Sequence, residues 1–190
     1  CARYAQAFLP SVSPTLLAVG LVTVCYVVNL LGVKLAAQLQ GLLVIILISA
    51  LIYYAGFGLA VLNPSNFSPI MPNGPASLAL GTALLTFTYF GANGIIELGG
   101  EIVNPGKVIP RAFNIAFAIV LFIYVAVAVA TVGAVSPDFL KNFEEPLLQV
   151  CRRITGPAGI LFFTVGGAIL ALTTTLNALF IIGTKSLLMI

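Results

Sequence analysis

The residues best suited to chemistry in this chain interrupt an apolar segment of membrane length, FTYFGANGIIELGGEIVNPGKVIPR, which runs from Phe87 to Arg111. The interruptions are Gly91, Asn93, Gly94, Glu97, Gly99 and Gly100. Glycine weakens a helix, and backbone N–H and C=O groups that leave a helix inside hydrocarbon need other partners. We therefore expect the segment to break near Gly91 and to line a cavity for a small solute there.

Aromatic residues lie beside this break, with Phe87, Tyr89 and Phe90 directly before it. Freed carbonyl oxygens accept hydrogen bonds from an ammonium group, and an aromatic face attracts a cation through its quadrupole. The pattern therefore predicts a site for a solute that carries a positive amine. Its candidate residues are Phe87, Thr88, Tyr89, Phe90, Gly91 and Asn93. One alternative stays open, in which the glycines only allow helices to pack closely.

Two acidic residues follow the break. Glu97 lies in an apolar frame, where an ionised carboxylate costs about 2.5 to 3.5 kcal/mol on insertion scales, so we expect it to face protein or water. It is a candidate proton carrier or gating residue, or else a residue that caps the helix or pairs with Lys107 or Arg111. Glu101 lies in the charged turn that follows, which is chiefly a structural hinge and secondarily a candidate gate.

Three consecutive threonines, followed by Asn177, form a second polar cluster inside the last apolar segment. Hydroxyl oxygens are ligands for a hard cation, so Thr173 and Thr174 are candidate ligands for Na⁺. The alternative is that these hydroxyls bond to carbonyls of their own helix. We expect no cofactor other than a coupling ion, which is Na⁺ or H⁺.

The composition is that of an integral membrane protein. The chain has 190 residues, of which 61% are hydrophobic and 7% charged. Its net charge of +3 comes from eight basic and five acidic residues without a basic run, so we exclude nucleic-acid binding. The chain lacks histidine and has three widely separated cysteines, which argues against a metal site. An enzyme is not expected either, because Glu97 has no second acid or base beside it.

Five apolar windows are long enough to cross a membrane, namely residues 16–31, 35–62, 78–102, 112–135 and 159–188. The sequence thus predicts an all-α membrane protein with five transmembrane helices, the third broken at its centre. Gly32 is expected to cap the first helix in a tight hairpin. Interhelical hydrogen bonds are the simplest role for the amides that flank this hairpin, Asn29, Gln38 and Gln40.

The segments between these helices carry further signals. Lys34, Lys107 and Arg111 lie in short turns on one face, which predicts that this face is cytoplasmic. Pro105 and Pro110 are expected to end one helix and restart the next. Asn63 to Ser77 reads as an ordered surface loop, and Leu147 to Ile154 as a short amphipathic helix at the membrane interface. The chain lacks an initiator Met and ends in an apolar segment, so we expect a fragment of a longer protein.

Three stretches of this sequence resemble the amino acid permeases of the amino acid, polyamine and organocation transporter superfamily. The stretches are FTYFGANGIIELGGEIVNPGKVIPRA, VNLLGVKLAAQLQ and TTTLNALFIIGTKSLL. The resemblance implies that the five spans are helices four to eight of a leucine-transporter fold with inverted repeats. It also implies that carbonyls around Phe87 to Phe90 receive the substrate's amino group, with Asn93 below. The missing helices of the parent would complete the site.

The sequence departs from that family at several positions. Asn93 stands where many relatives carry an acid, and Leu47 and Ile48 stand where several proton-linked relatives carry a lysine. The resemblance therefore leaves room for Na⁺ near Thr173 and Thr174. We expect a secondary transporter in the cytoplasmic membrane that moves an amino acid or related amine through the lipid bilayer by alternating access. A non-transporting scaffold or a pore subunit is the alternative.

Overall fold

The computed structural model describes residues 13–69, 73–89, 92–136, 139–140 and 146–188. This part of the chain is helical throughout and contains no strand, which confirms the all-α prediction. The α-helices are α1 (Pro14–Leu30), α2 (Val33–Ala60), α3 (Gly74–Thr86), α4 (Pro105–Ala134), α5 (Pro146–Phe162) and α6 (Leu170–Leu188). Short 3₁₀ helices cover Pro64–Phe67, Phe87–Tyr89 and Ala92–Glu101, and a π-helix covers Phe163–Ile169.

Three helical stretches of the described chain are long and apolar enough to cross a membrane, Lys34–Ala60, Pro105–Ala134 and Pro146–Thr184. The apolar stretches Thr15–Leu30 and Gly74–Thr86 are shorter. Large apolar side chains remain exposed along the helices, as Phe122 does over 73% of its surface. Lipid tails accommodate such surfaces, whereas water does not. The chain is therefore a multi-pass membrane protein.

The helix α4 begins seven residues earlier than the span predicted at 112–135. Asn104 adopts the left-handed conformation (φ 56°, ψ 55°) before it, and Pro105 occupies the first turn. The expectation that Pro110 restarts a helix is wrong, because Pro110 lies inside α4. Proline removes one hydrogen bond there, the bond from its own nitrogen to the carbonyl of Gly106, and a long helix tolerates that loss near its beginning.

A two-residue link joins α1 to α2. Leu31 caps α1, and its N–H donates to the Val27 carbonyl over 3.1 Å. Gly32 follows the cap instead of forming it, with φ 122° and ψ 151°, a backbone conformation that only glycine adopts readily. The Gly32 carbonyl also accepts a hydrogen bond from the N–H of Ala36, so this glycine is the N-cap residue of α2.

The helix α5 is kinked at Gly156 (φ 71°, ψ −172°), and Pro157 follows the kink. The helix predicted for Leu147 to Ile154 is confirmed and lies before this kink. It buries Val150 and Cys151 and exposes two arginines. Its position at the membrane interface stays a prediction. After the kink the chain continues through the π-helix into α6.

The segment between α2 and α3 is tied to the end of α4. The N–H of Asn63 and the side-chain amide of Asn66 both donate to the carbonyl of Gly133, each over 2.9 Å. The helix α3 begins at Gly74, inside the predicted loop, because Pro75 suits the first turn of a helix.

The second half of α2 packs tightly against the second half of α4. Tyr54 is fully buried, its hydroxyl lies 2.9 Å from the hydroxyl of Thr131, and its ring stacks on Phe163 at 4.7 Å between centroids. A Cβ atom at Gly58 would lie 2.6 Å from the Cβ of Ala130. We call these five residues, Tyr54, Gly58, Ala130, Thr131 and Phe163, the closed core.

Candidate functional site: a cavity between three helices

A cavity of about 650 Å³ lies between the first half of α4, the middle of α6 and the beginning of α2. The 3₁₀ segments after α3 contribute Tyr89 and Ile95 to its wall. Pockets for small organic molecules have volumes of this order, about 300 to 1,000 Å³. The cavity is therefore large enough for a solute of amino acid size.

Aromatic rings form one wall of the cavity. The ring of Tyr89 lies 5.1 Å from that of Phe117 and 6.3 Å from that of Tyr124, measured between centroids. Phe113 stacks on Phe117 one turn away, at 6.5 Å and 17° between ring planes. Such a wall packs against apolar groups and attracts cations at the ring faces.

Two threonines of α6 form the polar part of the opposite wall. The hydroxyls of Thr174 and Thr175 each donate to the Ala171 carbonyl over 2.9 Å. Thr173 makes the same kind of bond to Ile169, also over 2.9 Å, and does not line the cavity. The alternative stated for these residues, bonding within their own helix, is confirmed. Each bond uses the hydroxyl hydrogen, so the oxygen lone pairs of Thr174 and Thr175 remain able to accept or to ligate.

One glycine of the broken segment serves close packing. Gly94 is buried, and a Cβ atom there would collide with the side chain of Ile182 on α6. A Cβ atom at Gly99 would meet only the side chain of Ile109, at 3.9 Å. A Cβ atom at Gly100 would meet no described atom within 4 Å beyond its own stretch of helix. The contact with Ile182 fits the packing alternative at Gly94, whereas the other glycine of the break, Gly91, lies outside the described residues.

The family model described as amino acid permease matches residues 2–187 of this chain. The chain belongs to the amino acid permease family. It is 27% identical over 162 residues to an uncharacterized protein of Methanocaldococcus jannaschii, an alignment that covers 84% of this chain and 37% of the relative. It thus spans about a third of the length of the curated relatives it matches.

Two further relatives of this permease carry substrate names. The methylthioribose transporter of Bacillus subtilis is 27% identical over 148 residues, which is 78% of this chain and 32% of the relative. The branched-chain amino acid permease of the same organism is 24% identical over 148 residues, which is 77% of this chain and 31% of the relative. Relatives of this chain therefore act on chemically different solutes.

The structure brings two predicted site residues of the permease together, because Tyr89 and Thr174 line the same cavity. Phe87 is 69% exposed and does not line it. Thr88, Asn93, Glu97 and Glu101 have described backbones in the 3₁₀ segments. The other predictions lie outside the described residues: Phe90, Gly91 and the side chains of Thr88, Asn93, Glu97 and Glu101.

The sequence analysis missed several cavity residues. On α4 these are Phe113, Phe117 and Tyr124, at spacings of four and seven residues, which place them on one face of a helix. That spacing shows that the three residues share a face of α4, although it does not show that this face borders a cavity. Gln40 was assigned only to interhelical bonding, and it also lines the cavity.

A second cavity of about 490 Å³ lies further along α2 and α4. Its described lining is apolar apart from the hydroxyl of Tyr124, which borders both cavities. Leu47 and Ile48 line this second cavity, at the positions where several relatives were expected to carry a lysine. The permease therefore presents hydrocarbon there instead of a cation.

Proposed function

We propose that the complete protein is a secondary active transporter that moves an amino acid or related amine across the cytoplasmic membrane. The observation that carries this proposal is the cavity of solute size that Tyr89 and Thr174 both line. Membership of a permease family and relatives named as transporters support it. A transporter needs such a site within its membrane-spanning helices.

The solute carries no net charge on its side chain. None of the described residues that line the cavity is charged, so a charged side chain would enter without a counterion. The aromatic wall accepts an apolar side chain and attracts an ammonium group. The relative named for branched-chain amino acids supports a neutral amino acid, whereas the relative named for methylthioribose supports a neutral solute without an amine.

Transport proceeds by alternating access around the cavity. The closed core holds α2 and α4 together at one end, while the wall contributed by Tyr89 belongs to short 3₁₀ segments. Coupling to Na⁺ would use the lone pairs of Thr174, and coupling to H⁺ would use a carboxyl group such as Glu97. The rival function is that of a non-transporting scaffold or a pore subunit. A pore differs from a transporter because it requires a stripe of polar residues along several helices.

Uptake by proteoliposomes that contain the complete protein tests the proposal. Radiolabelled neutral amino acids and methylthioribose are offered under imposed Na⁺ or H⁺ gradients. We expect one gradient to drive accumulation of a solute, and we expect Tyr89→Ala to reduce uptake at least tenfold. Thr173→Val serves as the control for Thr174→Val, because Thr173 makes the same helical bond away from the cavity. The absence of accumulation or exchange of any solute would refute the proposal.

A further inference from the structure

A network of three side-chain amides joins α1, α2 and α6 beside the cavity. The Nδ2 atom of Asn29 donates to the Cys25 carbonyl over 2.8 Å and to Oδ1 of Asn177 over 3.0 Å. The Nδ2 atom of Asn177 donates to the Ala36 carbonyl over 3.2 Å and to Oε1 of Gln40 over 2.9 Å. Asn177 is fully buried, so its hydrogen bonds cannot be exchanged for water.

Two backbone carbonyls determine the orientation of every amide in this network. A carbonyl only accepts, so the atom of Asn29 that faces the Cys25 carbonyl must be its nitrogen. The same argument assigns the nitrogen of Asn177 that faces the Ala36 carbonyl. The second hydrogen of that nitrogen then reaches Gln40, which must accept it through Oε1. The direction of each bond therefore follows from the backbone.

The remaining group of Gln40 is its Nε2 amide, which carries two hydrogens. Gln40 lines the cavity and is partly buried, and Nε2 has no hydrogen-bond partner in the part of the chain that the structure describes. Asn177 holds the amide in one orientation, so these two donors stay aimed away from the network. Gln40 therefore contributes to the cavity wall an oriented amide whose two donors have no described partner.

We propose that Gln40 is a specificity-determining residue, whose Nε2 amide donates to an oxygen acceptor of the solute bound in the cavity. The inference rests on the proposed transport function. The acceptor is a carboxylate or a hydroxyl oxygen, since both accept from an amide N–H. Asn177 is a positioning residue, because it acts on the solute only through Gln40. A preset donor also discriminates, because a solute without an acceptor would leave it unpaired.

The test uses Gln40→Glu in the complete protein. Glutamate retains an oxygen that accepts from Asn177 and replaces the two donors with a second acceptor oxygen. Gln38→Glu is the matched control, since Gln38 lies on the same helix, is exposed and does not line the cavity. Binding to protein in detergent is measured for L-leucine, for 3-methylbutylamine, which is leucine without its carboxylate, and for methylthioribose, which offers hydroxyls.

We expect Gln40→Glu to weaken binding of L-leucine or of methylthioribose at least about tenfold, the usual range for an unpaired hydrogen-bonding group. Weaker leucine binding with 3-methylbutylamine unaffected identifies a carboxylate as the acceptor. Weaker methylthioribose binding identifies a hydroxyl. Gln40→Met, which has neither donor nor acceptor, should lose the same affinity, and it replaces Gln40→Glu if the latter does not fold.

Three results would overturn the inference. Binding by Gln40→Glu that matches Gln38→Glu within twofold for every solute means that Nε2 contacts no solute. An equal loss for L-leucine and 3-methylbutylamine, with methylthioribose unaffected, means that the substitution acts through something other than the acceptor. Wild-type protein that binds none of the three solutes would overturn this inference together with the proposed function, whereas wild-type binding with insensitive variants overturns the inference alone.

Discussion

The closed core and the cavity lie at opposite ends of the same pair of helices, α2 and α4, and they differ in how they use polar groups. In the closed core, the hydroxyl of Thr131 donates to the Val127 carbonyl over 2.6 Å, so the hydroxyl of Tyr54 must donate to Thr131. In the cavity wall, Gln40 and Thr174 retain hydrogen-bonding capacity that no described residue uses. In the closed core, the Tyr54 hydroxyl thus donates to Thr131 and the Thr131 hydroxyl donates to the backbone, whereas polar groups in the cavity wall keep hydrogen-bonding capacity.

The two ends of the helix pair also differ in the size of the side chains where α2 and α4 face each other. At the closed core, Gly58 lets α2 approach Ala130 so closely that no space remains. At the cavity, α4 contributes three aromatic residues, Phe113, Phe117 and Tyr124, beside Ala112, Ala116 and Val120, and an open volume remains. The closed core is tightly packed, whereas the cavity leaves a volume that the proposed function assigns to a solute. Thr164, in the π-helix, has a buried hydroxyl oxygen without a hydrogen-bond partner among the described residues.

The largest expected effect is on the closed core, through Gly58→Leu. A side chain there collides with Ala130, which is short and cannot move aside. We expect the unfolding free energy in detergent to fall by about 3 kcal/mol, the upper end for overpacked interiors. Gly56→Leu is the control, because Gly56 lies on the same helix with open space around it. Equal thermal stability of the two variants would show that the closed core is not tightly packed in the complete protein.

The second prediction concerns the volume of the cavity. Ala116→Phe adds a ring to the wall between Phe113 and Phe117, so we expect solute uptake to fall at least tenfold while the protein stays folded. Ala118→Phe adds the same ring at an exposed position of α4 outside both cavities. Uptake rates that are equal in the two variants would place the transported solute elsewhere.

The third prediction concerns the amide network that supports Gln40. Asn177→Leu removes hydrogen bonds to Asn29, Gln40 and the Ala36 carbonyl. Single interhelical hydrogen bonds in membranes contribute about 0.6 kcal/mol on average, and we expect a loss of about 1 kcal/mol in unfolding free energy. Ser49→Ala serves for comparison, since its hydroxyl bonds only to its own helix. A variant as stable as Ser49→Ala would argue against the network.

The smallest expected effect is that of Tyr54→Phe, which removes one hydrogen bond from the closed core and leaves the ring in place. We expect thermal unfolding to show that the free energy of unfolding falls by about 0.6 kcal/mol. Tyr53→Phe should cost less, because the Tyr53 hydroxyl has no hydrogen-bond partner among the described residues. A larger loss of unfolding free energy for Tyr53→Phe than for Tyr54→Phe would contradict the hydrogen bond assigned to Tyr54 in the closed core.

The sequence allowed the class of fold and part of the site to be predicted. Tyr89 was predicted because it lies beside the glycine-rich break, and Thr174 because a run of hydroxyl side chains stands out in an apolar segment. Phe113 and Phe117 did not stand out, since a membrane helix is apolar on all sides and its pattern does not reveal which face meets protein. The cavity wall on α4 therefore became apparent only from the positions of α4 and α6 around the cavity.

Two other features, the role of Gln40 and the position of Pro110, could not be predicted from the pattern of residues in the sequence. Gln40 became a candidate only when Asn177 and the Ala36 carbonyl were found to orient its amide, a relation across 137 residues of sequence. Pro110 looked like a helix boundary because proline usually disfavours helix interiors, yet α4 continues through it. Long-range contacts decided the first case, and the position of Pro110 near the beginning of a long helix explains the second.

Protection of a cysteine in the cavity by solute tests the central claim most directly. Ala178→Cys places a thiol on the cavity wall, and Ala118→Cys places one outside it. The native Cys25 and Cys151 are buried and are replaced by alanine, as is Cys1. Alkylation by N-ethylmaleimide is timed with and without the solute that the complete protein takes up. We predict that this solute slows alkylation of Ala178→Cys several-fold and leaves Ala118→Cys unchanged; equal rates at Ala178→Cys would contradict the assignment of the cavity as the transport site.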